Sequence, residues 1–181
     1  MAPTLIRRLA WPLAAAVALT FLVGLALHGG RPDPMAQFKP AGLLTAFTPK
    51  EARDVEVANG AEVWRFRRDA EWRTVDVPRP VSTDVGARID AALRLLRNSG
   101  PLRVLTAEEV ARVPASEYAL GPGGLRVQVR ASSGVVFLIQ FGGRNPLGSA
   151  RYARVDGLDG VPMLPAYVAE AWERVIGGPP G

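Results

Sequence analysis

EYALGPGGLRVQVR, residues 117–130, decides between two architectures. A glycine cluster that opens a helix would read as a phosphate cradle in an α/β fold, because a cradle needs successive backbone N–H donors at a helix start. A cluster that opens a strand reads as a turn. Pro122 removes one donor from Gly121-Pro122-Gly123-Gly124. Beyond it, Leu125, Val127 and Val129 alternate with Arg126, Gln128 and Arg130, the period of a half-buried strand. The cluster is a turn feeding a strand, and the chain around it is expected to be antiparallel sheet.

Downstream, Ala131-Ser132-Ser133-Gly134 closes a hairpin and residues 135–141, VVFLIQF, form the most apolar strand, expected at the sheet centre. Residues 142–149, GGRNPLGS, read as a wide loop. Gly143, Gly148 and Ser149 have the spacing of a nucleotide loop, but the lysine that neutralises phosphate is missing and Pro146 removes a donor. Residues 150–155, ARYARV, are a strand; Asp156-Gly157 and Asp159-Gly160 are turns that do not match a calcium loop. Residues 165–177 close the domain as a helix begun by Pro165, with Tyr167, Val168, Ala171, Trp172, Val175 and Ile176 along one side.

Upstream, residues 102–113 start extended, and Thr106 with Glu109 fits a capping box for a short helix. The clearest helix is VSTDVGARIDAALRLLRNSG, residues 81–100. Ser82 or Thr83 can cap it, Val85, Ile89, Leu93 and Leu96 form one apolar stripe, and Gly100-Pro101 stops it. Before it, residues 54–58, 62–68 and 71–77 alternate and are joined by Asn59-Gly60 and Asp69-Ala70 as a meander. Trp64 and Phe66 share one face, and Val63, Arg65 and Arg67 the other.

Composition narrows the chemistry. The 181 residues contain no cysteine, which removes disulfides, zinc–thiolate sites, iron–sulfur clusters and thiol nucleophiles. His28 is the only histidine, so the folded part has no imidazole for proton transfer or metal binding. Lys39 and Lys50 are the only lysines, which argues against a Ser-Lys dyad. Removing Arg7 and Arg8 from the net charge of +5 leaves about +3, spread along the chain with no nucleic-acid recognition motif.

Residues 9–27, LAWPLAAAVALTFLVGLAL, carry no charge. At about 1.5 Å per residue they just cross a hydrocarbon core of about 30 Å. Arg7 and Arg8 hold the N-terminus on the cytoplasmic side, so the rest of the chain is exported. Gly24-Leu25-Ala26 is a small-x-small triplet that a signal peptidase could cut, but the apolar run exceeds a usual signal core, and a retained anchor is the reading here. The expected organisation is an anchor over residues 1–28, a Gly/Pro-rich linker over 29–53, an exported α+β domain over 54–177 and a tail over 178–181. The fold class is α+β: one N-terminal transmembrane helix and an antiparallel sheet packed by two to three helices. The expected location is a bacterial inner membrane with the domain in the periplasm.

The order of EWRTVDVP, STDVGARIDAALRLL, YALGPGGLRVQV, FLIQFGGRNPLGS and ARYARVDG resembles a bacterial family, domain of unknown function number 4340, over residues 54–176. The resemblance implies a membrane-tethered α+β domain of the kind that accompanies ABC-type transporter and gliding-motility components. It implies no catalytic residue and no cofactor. This chain carries one module where relatives often show more, and Ala119 stands as an extra residue before Leu120-Gly121.

The expectation is a non-enzymatic accessory subunit of a cell-envelope complex. It would bind an integral membrane partner and contact the bilayer through residues 9–27. A periplasmic module for a glycan or anionic ligand is the alternative, and a hydrolase built on paired carboxylates a more remote one. The residues singled out for ligand or partner contact are Arg144, Arg151 and Arg154, close in sequence around the 142–149 loop, and Trp172 on the last helix. Arg151 and Arg154 should face opposite sides of their strand.

Overall fold

The computed structural model describes residues 42–177. The anchor segment 9–27, the linker up to residue 41 and the tail 178–181 lie outside the described residues. No helix among the described residues is long and apolar enough to cross a membrane.

Nine strands form one antiparallel sheet: β1 Ala52–Asn59, β2 Glu62–Arg68, β3 Trp72–Thr74, β4 Arg79–Pro80, β5 Arg103–Leu105, β6 Arg126–Ala131, β7 Val136–Arg144, β8 Ala150–Val155 and β9 Val161–Pro165. Their order across the sheet is β4-β3-β2-β1-β6-β7-β8-β9-β5. Among the described residues three α-helices join them, α1 Thr83–Asn98, α2 Ala107–Ala111 and α3 Ala166–Ile176. The α+β class with an antiparallel sheet is thus the observed one. Both edge strands are short, and β4 ends on Pro80, which limits edge-to-edge pairing.

Alternation decides which face is covered. Val55 and Val57 of β1 stand opposite Phe66 and Trp64 on β2 and opposite Val129 and Val127 on β6. Phe137 and Ile139 of β7 continue these rows. Buried residues of α1 (Ile89, Ala92, Leu93, Leu96) and α3 (Val168, Ala171, Trp172, Val175) join them in one core. The Ser82 hydroxyl caps α1 by accepting from the Val85 N–H at 3.3 Å. Gly86 lies against the Trp72 ring, where an added Cβ would stand 3.5 Å from Cδ1.

Four local differences from the sequence reading have physical causes. The segment assigned to the linker is folded from residue 44 on: Leu44 and Phe47 are buried, and the Arg97 guanidinium donates to the carbonyls of Leu44, Thr45 and Phe47 at 2.9–3.3 Å. The strand expected over 71–77 stops at Thr74, whose hydroxyl donates to the Val77 carbonyl and closes a turn into β4. The wide loop expected over 142–149 is a tight one. β7 runs to Arg144, and Asn145 closes the loop by donating its N–H to the Ala150 carbonyl while its side chain accepts from the Ala150 N–H. Finally, β9 was not anticipated, because VPMLP carries two prolines, which read as strand breakers.

Candidate functional site

The opening stretch folds as a turn. A 3-10 helix over Ala115–Tyr118 ends on Ala119 in the left-handed region, φ +48°. The Gly124 N–H then donates to the Gly121 carbonyl, and Gly123 receives the Gly60 N–H from the β1–β2 hairpin. Tyr118 is buried and meets Tyr152 of β8 edge to face at 5.0 Å. The Gln140 side-chain amide donates to the Gly121 carbonyl at 2.5 Å. This arm lies on the sheet face opposite α1 and α3, at the β8 end.

Arg144 and Arg151 are brought together as the sequence neighbourhood implied. They are cross-strand partners just past a bulge in β7. Both turn toward α3. Arg144 donates to Glu170 at 2.9 Å and to the Gly148 carbonyl at 3.0 Å. Arg151 pairs with Glu173 and donates its Nε–H to the Gly142 carbonyl at 2.9 Å. Their charge is spent on fastening the β7–β8 hairpin to the helix. Arg154 points to the other face and is exposed, as the strand period requires. Trp172 is fully buried in the core, so it presents no surface to a partner. Its indole N–H has no hydrogen-bond partner among the described residues.

The sheet face away from α1 and α3 holds what the single-residue reading missed. Where the 115–124 arm does not cover it, this face presents Val63, Arg65 and Arg67 of β2, Asp54 and Glu56 of β1, and Arg73 of β3. Arg126, Gln128 and Arg130 of β6 continue it, then Val136, Leu138 and Gln140 of β7 and Arg154 of β8. Arg67 donates to Asp54 at 2.6 Å, and Arg65 donates to Glu56 at 2.9 Å and to Asp76 at 3.4 Å. Hydrogen bonds donated to Glu56 and Asp54 hold the Arg65 and Arg67 guanidiniums above their already high ordinary range. Arg73, Arg126, Arg130 and Arg154 are exposed and make no ion pair within the described residues. The alternation in EVWRFRR and LRVQVR carried the signal, but pairing the two strands through β1 required the three-dimensional register.

Chemically this face can bind charge. Asp54 and Glu56 are two residues apart on one strand face, a spacing that carboxylate-pair hydrolysis could use. Each already accepts from an arginine, an arrangement for holding charge rather than delivering a proton. Among the described residues no three His, Cys, Asp or Glu side chains converge to hold a metal ion. No family model, no curated protein and no solved structure matches this chain.

Proposed function

We propose that this chain is a non-enzymatic accessory subunit of a cell-envelope complex, anchored through residues 9–27 with its α+β domain in the periplasm. It works by binding, and the uncovered sheet face is where it binds. The observation that carries this is the asymmetry of the sheet. One face is closed by α1 and α3, while the other leaves Arg73, Arg126, Arg130 and Arg154 exposed with no ion pair among the described residues. Exposed charges spread over several strands suit a macromolecule, whereas small ligands are held in concave, mostly apolar pockets. The resemblance to the 4340 family supports a partner among transporter or gliding-motility components.

The test is a tagged pull-down from gently solubilised native membranes, with intact mass taken on the same sample. A stoichiometric membrane partner is expected, together with a mass that retains residues 1–26. A lone protein, even after crosslinking, would refute the accessory role and leave a periplasmic module for an anionic ligand or glycan. The shallow groove lined by Arg65, Arg67, Gln128 and Arg130 would be its site.

A further inference from the structure

The uncovered face has two halves of different character. On β1 the two carboxylates of this face, Asp54 and Glu56, are matched by Arg67 and Arg65 of β2. β6, β7 and β8 themselves carry no acidic residue, but acids border them. Asp156 follows β8 and donates its N–H to the Leu138 carbonyl, and Asp54 and Glu56, opposite Arg130 and Gln128, are held by Arg67 and Arg65. Register sets Arg126, Gln140 and Arg154 side by side on these three strands, with Arg130 four residues along β6 from Arg126. Strand spacing places the Arg126 and Arg154 backbones roughly 10 Å apart, and the rise per residue places Arg126 and Arg130 roughly 14 Å apart. Between them lies Leu138, half-buried, with Val136 at 44% exposure beside it. Gln140 is pinned by its bond to the Gly121 carbonyl, so the floor between Arg126 and Arg154 is fixed.

We propose that this half docks an acidic polypeptide segment of the partner protein, with an apolar side chain seated on Leu138 and carboxylates on Arg126, Arg130 and Arg154. The proposal rests on the accessory-subunit reading and supplies the chemistry of the partner. Asp54 and Glu56 are already held by arginines, so Arg126, Arg130 and Arg154 outnumber Asp156 and leave this half with a net positive charge that an acidic partner would complement. Guanidinium groups take carboxylates in a two-pronged geometry, and a small apolar centre ringed by arginines is the anatomy of a protein interface. Asp54 and Glu56 next door oppose a uniformly anionic sheet such as a bilayer surface. They are compatible with a patterned protein surface and fix its register.

The experiment places a benzophenone amino acid at the exposed Val136 of the full chain and illuminates native membranes. The crosslinked peptide is then identified by mass spectrometry. The expected adduct is a protein segment bearing at least two acidic residues. Its yield should fall about tenfold or more with R126E/R154E, less with R126Q/R154Q, and hold with R79E/R94E, exposed arginines off this face. Adducts to lipid alone, to a segment without acids, or at a yield indifferent to R126E/R154E would overturn the proposal. A co-purifying partner that gives no adduct from position 136 would spare the accessory role and remove this docking assignment. No partner by either route would remove both.

Discussion

Gly142→Ala tests whether the 115–124 arm is packed onto the sheet as described. An added Cβ at Gly142 would stand 2.2 Å from the Tyr118 carbonyl oxygen and 3.0–3.1 Å from the Leu120 side chain. A carbon cannot approach an oxygen that closely, so the arm or the β7 bulge must move by roughly 1 Å, an overpacking cost of about 1–3 kcal/mol. In open space the same change in a strand would stabilise by about 0.5–1 kcal/mol, so the sign of the effect is diagnostic. At about 4 °C per kcal/mol for a domain of this size, thermal unfolding of the full chain in detergent should shift down by roughly 4–12 °C. Gly143→Ala is the control: its Cβ would meet Ala119 Cβ at 3.4 Å, an ordinary contact, and should change stability by less than about 1 kcal/mol. A Gly142→Ala protein that melts with or above the parent would refute the packing of the arm, and with it the division of the face into covered and uncovered parts.

Trp172→Ala should cost about 3–5 kcal/mol in denaturant unfolding, since it empties the largest buried side-chain volume in the core. Trp172→Phe should cost far less, because it keeps most of the buried aromatic volume while removing the unpartnered indole N–H; a loss as large as that of Trp172→Ala would show that ring volume does not set the cost. Ala119→Gly should be neutral or stabilise by up to about 1 kcal/mol, because a left-handed φ strains alanine; clear destabilisation would contradict that geometry. Glu51 and Glu109 are held below the usual carboxylate range, chiefly by the Thr48 and Thr106 backbone N–H groups. With folded values depressed, their contribution is complete above the ordinary carboxylate pKa and fades as pH falls through the lowered values. Glu109→Gln should therefore destabilise the chain near neutral pH and lose that effect under acid, as pH-dependent melting would show; a cost that grows in acid would reverse the sign of the argument.

Much of the sheet was legible because strand faces follow local alternation. Val55, Phe66 and Val127 all turn inward as their period of two requires. The helix α1 was legible from its stripe, and Ile89, Leu93 and Leu96 are fully buried. The helix α3 was legible except at Tyr167, which stays 48% exposed while its hydroxyl approaches Ser99 Oγ at 3.4 Å. Pairings between distant strands were not legible. Nothing near Arg130 announces that β1 will lie beside it and bring Asp54, already committed to Arg67, to its side. Nor does the spacing of Arg144 and Arg151 reveal that Glu170 and Glu173 of α3 will neutralise them, since that depends on the bulge in β7. Exposed arginines look alike in sequence, and only the acids folded next to them separate the paired from the unpaired.

The most direct test of the account is arginine-specific footprinting with phenylglyoxal, read by mass spectrometry, on the full chain in native membranes and after purification in detergent. The account predicts that Arg126, Arg130 and Arg154 react freely in the purified chain and are protected in native membranes, while Arg79 and Arg94 react equally in both. Equal reactivity of all five in the two states would contradict the claim that the uncovered sheet face is the binding surface.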